Sequence, residues 1–488
     1  VPLARALLDS AAKNAARTAV IDGGRAWSYT ELAAAARRVA GHVAAATARG
    51  TVGIYLPNCS GFVAGFFGVL AAGRAAVPLN TFLAPKELAA VLDHSGADLV
   101  ITSEACLERL PAGAARYLAV ERLLAAGAPL DPPAERSDDD LAVILYTSGS
   151  TGEPKGVCLS HRNLAANALG AAESAGFRPE DHVLGALPPF HTFALTTTMI
   201  APLLIGASVV TMARFSPEGA LQLAAEGVSV IVGVPSMYRL MARAQKSRPR
   251  ALPALRLIVS GGERLTPRVR EEFEPVFGLP ICEGYGLTEC SPVVALNVPG
   301  SNRPGTVGRP LAHLEIRIAD EGGGALPAGA EGEVRVRGAS VMSGYHRAPE
   351  ATRRVLTPDG WLCTGDLGRL DADGFLTLTG RIKELIIVGG ENVHPAEVEA
   401  AVARHPAVAE CGVAGAPDEQ RGEQVVAFVV PRPGADGPAV EDLRAHCRRE
   451  LAGYKVPRRF VLLAELPKGP TGKADRKALA KMAAEGQS

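Results

Sequence analysis

The apolar run Leu141 to Tyr146 feeds directly into Thr147-Ser148-Gly149-Ser150-Thr151-Gly152-Glu153-Pro154-Lys155-Gly156. Small residues let a backbone wrap a phosphate, hydroxyls and amide N–H groups supply donors, and Lys155 supplies charge. The spacing is not G-x-x-x-x-G-K-[ST], which argues against a P-loop NTPase. A plain Ser/Gly linker shares this composition, but the strand-like run before it and the lysine within it favour a phosphate loop.

Other residues of chemical interest are spread along the chain. Gly261-Gly262-Glu263 permits either close backbone approach to a ligand or a tight turn. Glu289 ends Gly284-Tyr285-Gly286-Leu287-Thr288-Glu289, where its charge could complement the positive end of a helix. Asp366, in Thr364-Gly365-Asp366, can accept from both hydroxyls of a diol or form an Asx-turn. Lysine is scarce, 10 against 41 arginines, yet Lys155 falls in the first of these stretches, Lys383 in Gly380-Arg381-Ile382-Lys383 and Lys473 in Pro467-Lys468-Gly469-Pro470-Thr471-Gly472-Lys473. There a compact mobile ammonium acts differently from a rigid guanidinium fork. Lys473 precedes a helix start expected at Asp475, where positive charge is electrostatically poor, so stability alone does not account for it.

These residues need a scaffold, and the first three-quarters of the chain supplies one by alternating short apolar runs with amphipathic stretches. Thr51 to Leu56, Ala75 to Leu79 and Leu99 to Thr102 read as strands, with helices over Ser60 to Ala72 and Pro85 to His94. The rhythm returns at His182 to Leu187, Val228 to Gly233, Leu255 to Val259 and Leu279 to Cys282. Such alternation predicts an α/β fold with two layered, mostly parallel sheets. From about residue 300 the texture becomes that of a small antiparallel β unit, with turns at Asp359-Gly360 and Asp373-Gly374. Beyond Gly380 an α+β pattern begins, with helices near Pro395 to Ala403 and Val440 to Glu450 and strands around Val408 to Val413 and Val425 to Val430. The expected division is an N-terminal domain over 1–381, a hinge at 382–383 and a C-terminal lid domain over 384–488.

Composition narrows the function classes. With 51 basic and 51 acidic residues in 488, the chain lacks the long-range field of a duplex-binding or polybasic membrane-binding protein. No nucleic-acid partner is expected. Eight scattered cysteines form no C-x-x-C pair, and the ten histidines never fall at i, i+4; a reducing cytoplasm fits better than a disulfide framework, and a protein-built metal cage is not expected. The apolar run Gly61 to Gly73 is too short to cross a bilayer, and the uncharged stretch Val183 to Ala213 is broken by Pro188-Pro189 and His191, so integral membrane contact is not expected. No G-x-S-x-G occurs, which disfavours a serine hydrolase.

Taken in order, the Thr147 to Gly156 loop, Gly284 to Glu289, Thr364 to Asp366, Gly380-Arg381-Ile382-Lys383 and Pro467 to Lys473 (PKGPTGK) resemble five motifs of the adenylate-forming superfamily. That superfamily includes acyl-CoA synthetases, peptide-synthetase adenylation domains and luciferases, and the match spans nearly the whole chain. The resemblance implies a nucleotide site formed by Thr147, Ser148, Gly149, Ser150, Thr151, Gly152, Gly261, Gly262, Glu263, Gly284, Tyr285 and Gly286, with Tyr285 against adenine and Asp366 and Arg381 on the ribose. It implies Glu289 as a Mg²⁺ ligand, and a single carboxylate suffices where phosphates complete the shell. Lys155, Lys473, Thr288, Glu289 and His191 are the implied catalytic residues, Lys383 the hinge, and Gly389, Gly390, Glu391 and Asn392 the CoA tunnel.

The implied acyl pocket comprises Phe190, His191, Phe193, Val232, Met237 and Gly284, which bring no second carboxylate. Relatives that activate amino acids carry an Asp just after the match to Phe190, and His191 stands there instead. The wording Glu283 to Pro292 resembles medium- and long-chain fatty acyl ligases, with aromatic acids still open. The implied reaction uses ATP and Mg²⁺ to convert a carboxylic acid into acyl-AMP and then passes the acyl group to CoA; an acyl carrier protein is the alternative acceptor.

Overall fold

The computed structural model describes residues 1–147, 155–418, 420–432, 438–468 and 474–485. The described chain packs as two compact units, one of 1–316, 336–363 and 374–376, the other of 317–335, 364–373 and the chain from 377 onward. Two segments that lie before residue 381 therefore pack with the C-terminal unit.

In the first unit, β-branched and apolar runs form two sheets with helices over their faces, as expected for mostly parallel strands buried on both sides. A seven-stranded sheet runs Gly344–Tyr345, Lys155–Ser160, Leu141–Thr147, Ala75–Pro78, Thr51–Ile54, Leu99–Thr102 and Arg116–Ala119. Its first three strands are antiparallel to one another, and from Leu141–Thr147 onward the pairings are parallel. A nine-stranded sheet runs Arg309–Pro310, Val293–Leu296, Ile281–Gly286, Leu257–Ser260, Val230–Gly233, His182–Gly185, Ser208–Thr211, Thr18–Asp22 and Arg25–Ser28. The helix Ser60–Ala71 is buried at every position, which is why its sequence is apolar all round and shows little amphipathic pattern. No helix among the described residues is long and apolar enough to cross a membrane.

Both sheets direct the carboxyl ends of their parallel strands at the residues of chemical interest. Leu141–Thr147 ends at Thr147, Leu257–Ser260 just before Gly261-Gly262, and Ile281–Gly286 just before Thr288 and Glu289. Ligands of open α/β sheets bind in this position, beyond the strand ends.

The strands Leu314–Ala319, Gly332–Gly338, Leu362–Leu370 and Leu376–Arg381 form a four-stranded sheet in that order. In the second unit, Glu391–Val393, Ile386–Val388, Gly422–Pro431 and Val408–Asp418 form a sheet, with Arg459–Leu462 added beside Gly422–Pro431. Val398, Val402, Leu443 and Cys447 belong to one apolar cluster of this unit. Leu466, Leu479 and Ala483 belong to a second.

Candidate active site

Thr147 and Lys155 are cross-strand partners, so the first lysine opens the strand that runs antiparallel to Leu141–Thr147. Ser148, Gly149, Ser150, Thr151 and Gly152 lie outside the described residues, as does Lys473. The Lys155 ammonium lies 5.1 Å from the centre of the Tyr345 ring, within cation–π range. The Tyr345 hydroxyl in turn donates to Glu289 Oε1 at 2.7 Å. Burial, reinforced by the neighbouring Glu289 charge, pushes the Tyr345 phenol well above its ordinary pKa. Lysine, tyrosine and glutamate from three distant segments thus form one constellation.

Glu289 lies in the short 3₁₀ turn Thr288–Cys290, and its backbone carbonyl accepts from Met342 N–H at 2.8 Å. Among the described residues the other carboxylate oxygen has no hydrogen-bond partner, and no cluster of three or more His, Cys, Asp or Glu side chains could hold a metal. A single carboxylate with an open oxygen fits a Mg²⁺ ion that draws its remaining ligands from phosphates and water. Thr288 is half-buried beside it.

An apolar cavity of about 70 Å³ opens alongside. It is bounded by Gly261, Gly262, Gly284, Tyr285 and Gly286 at the strand ends, by Phe193 and Val232, and by Ala171, Ala172, Ala175 and Phe177. No charged side chain is among its lining residues. Two glycines are sterically required: a Cβ on Gly286 would stand 2.2 Å from the Pro292 carbonyl oxygen, and one on Gly261 would stand 2.8 Å from the Phe193 ring. Tyr285 is 9% exposed.

Of the acyl-pocket residues expected from the sequence, Phe193, Val232 and Gly284 line this cavity. Phe190, His191 and Met237 do not. Met237 is buried in the core cluster that includes Ile258 and Phe273. His191 is exposed, with its ring 4.6 Å from that of Phe190. Glu263 is half-buried and is not among the residues that line the cavity. The neighbouring Glu283 is buried; desolvation raises its pKa, opposed by the Leu265 N–H and by Arg270.

Thr197, Ala201, Pro292, Val293 and Leu296 also line the cavity and were not anticipated from sequence. Thr197 belongs to a π-helical turn, Leu195–Ile200, whose threonines bond back along the helix, Thr197 to Phe193 O at 2.5 Å and Thr198 to Ala194 O at 2.8 Å. Such turns recur at functional sites, and the threonine hydroxyls satisfy carbonyls that a widened helix leaves over.

The remaining expected residues lie in the second unit. Arg381 pairs with Asp366 at 2.7 Å, the carboxylate side chain 6% exposed and the guanidinium 62%. Lys383 is exposed in the turn Ile382–Glu384. Gly389 and Gly390 form the two-residue turn of a β-hairpin, at φ of 62° and 88°, which only glycine accommodates without strain at both central positions. Glu391 and Asn392 follow on the exposed return strand.

Residues 7–346 match the family described as AMP-binding enzyme, and residues 397–473 match the AMP-binding enzyme C-terminal domain. The chain is 39% identical over 478 residues to a sulfoacetate–CoA ligase of Cupriavidus necator, an alignment covering 93% of this chain and 92% of that one. It is 40% identical over 347 residues to a long-chain-fatty-acid–CoA ligase of Bacillus subtilis, covering 70% and 62%. An o-succinylbenzoate-CoA synthetase from Bacillus subtilis, solved with ATP and magnesium, superposes with a TM-score of 0.88 at 32% identity, covering 97% of this chain and 98% of that one.

The chain therefore belongs to the AMP-binding enzyme family, the adenylate-forming superfamily. Within it the chain falls in the acyl-CoA synthetase branch: it is an acid–thiol ligase that uses ATP and CoA.

Proposed function

We propose that the acid is a fatty acid. The observation that carries this reading is the uncharged lining of the cavity beside Gly284 to Gly286. A sulfonate or second carboxylate at the far end of the substrate would be buried there without a counter-charge, at a cost of several kcal/mol. An alkyl tail is stabilised by about 0.8 kcal/mol for each methylene removed from water.

In this reading the substrate carboxylate attacks the α-phosphate of ATP, and the P–O bond to pyrophosphate breaks. Lys155 and the N–H and hydroxyl groups of the 147–152 loop neutralise the departing pyrophosphate, and Lys473 bridges the α-phosphate and the carboxylate where charge develops. Glu289 would hold a Mg²⁺, which when bound would supply further positive charge to the phosphates. Tyr285 covers the adenine, and Asp366 with Arg381 serves the ribose. The C-terminal domain then turns about Lys383, carrying Lys473 away and bringing Gly389, Gly390, Glu391 and Asn392 to the acyl adenylate, where the CoA thiol displaces AMP. His191 stands between the acyl and nucleotide sites.

The test is a panel of straight-chain, aromatic and sulfonated carboxylic acids assayed for acid-dependent ATP–pyrophosphate exchange, then for AMP release with CoA or a holo-carrier protein as acceptor. The expected result is exchange with medium or long straight-chain acids and AMP release with CoA. Preference for sulfoacetate or another doubly charged acid would overturn the assignment.

A further inference from the structure

Tyr345 touches both charged residues of the phosphate side of the site, yet the adenylation chemistry described above does not use it. We propose that Tyr345 is a positioning residue for the metal–nucleotide site, its hydroxyl orienting the Glu289 carboxylate and its ring seating the Lys155 ammonium.

Glu289 is gripped twice by one short segment. Met342 N–H donates to its backbone carbonyl at 2.8 Å, and three residues on the Tyr345 hydroxyl donates to its carboxylate at 2.7 Å. The segment itself is fixed. Tyr345 pairs with Val157 across the antiparallel strand that begins at Lys155, and His346 N–H donates to Gly156 O at 2.7 Å. The Tyr345 N–H donates to Thr352 Oγ1 at 2.9 Å, and that hydroxyl donates to Ala348 O at 3.0 Å. With its backbone fixed on both sides, the ring has a set point of attachment from which its hydroxyl reaches Glu289 and its face reaches Lys155.

A core-filling aromatic would need no hydroxyl. This one spends its single donor on a carboxylate, a charge-assisted bond stronger than a neutral one. Occupying Oε1 leaves Oε2 as the oxygen presented to a cation. The ring face 5.1 Å from Lys155 Nζ seats the ammonium independently of the hydroxyl, so the two functions separate by substitution. Tyr345→Phe removes the carboxylate contact and keeps the ring, and Tyr345→Leu removes both.

The inference rests on the reading of Glu289 as the carboxylate that faces Mg²⁺. The experiment is calorimetric titration of ATP into the full-length protein, in Mg²⁺ and in EDTA, for the wild type and both variants, with circular dichroism to verify folding. Tyr345→Phe is expected to keep the wild-type affinity in EDTA and to lose about tenfold in Mg²⁺. Tyr345→Leu is expected to weaken binding in EDTA as well. A Tyr345→Phe protein with unaltered Mg²⁺ enhancement, or one weakened equally in both media, overturns the assignment. Should the folded wild type bind ATP with no Mg²⁺ enhancement at all, the role given to Glu289 fails and this inference with it; that outcome shows in the wild type before any variant is compared.

Discussion

Ala172 offers the most discriminating test of where the substrate's tail goes. It is 2% exposed, lies on the helix His161–Ala175 and lines the cavity on the side of that helix. Ala172→Leu adds three carbon atoms to that wall, filling space that about three methylenes of a long tail would otherwise occupy. At about 0.8 kcal/mol per methylene, the long acid loses about 2.4 kcal/mol, roughly sixtyfold in kcat/KM. An acid too short to reach the helix keeps its rate. The assay is kcat/KM for a homologous series of straight-chain acids, with CoA and ATP saturating, against thermal unfolding to check that overpacking leaves the fold intact. A uniform loss across all chain lengths, or none at any length, would refute the idea that the tail runs towards this helix.

Lys473→Ala is expected to abolish acid-dependent ATP–pyrophosphate exchange while sparing thioester formation from supplied acyl-AMP, whereas Lys383→Pro, which restricts φ at the hinge, does the reverse; stopped-flow measurement of the two half-reactions checks both. Gly286→Ala places a methyl group against the Pro292 carbonyl oxygen, so a destabilisation of about 1–3 kcal/mol is expected in urea titration, with loss of exchange activity. Burial holds the His161 imidazole at about 4 against an ordinary 6.5. Between those pH values the unfolded chain takes up a proton that the folded chain does not, so this contribution to stability is full above about 6.5 and declines as pH falls towards 4. Its size is roughly 2–4 kcal/mol, and His161→Gln should shrink by that amount the difference in unfolding free energy between pH 7.5 and pH 4.5.

Local periodicity carried the sequence reading where contacts are local. Helices expected over Pro395 to Ala403 and Val440 to Glu450 form with those limits, and the helix start expected at Asp475 is observed: its carboxylate accepts from the N–H groups of Lys477 and Ala478. Pairings between distant segments were not legible. Thr18–Asp22 joins Ser208–Thr211 across about 190 residues, and nothing in either strand's apolar pattern names its partner. Tyr345 was missed for the same reason. It lies on a two-residue strand, Gly344–Tyr345, too short for any alternation to register, and its role comes from pairing with Val157. Met237, which the resemblance placed in the acyl pocket, packs in the core cluster with Ile258 and Phe273, a contact between distant segments that its own sequence neighbourhood does not show. The π-helical turn was also invisible, since nothing in the pattern of Leu195–Ile200 distinguishes it from an α-helical turn.

That turn has a consequence for how specificity can drift. A π turn holds one residue more than the α-helical register needs, so exchanging side chains within Leu195–Ile200 alters the wall of the cavity without altering which way the flanking residues point. Excising a single codon there would rewind the helix and rotate Phe193 or Ala201 by about 100° relative to the other. Substitution tunes this wall in small steps, while a one-residue deletion would recast it at once.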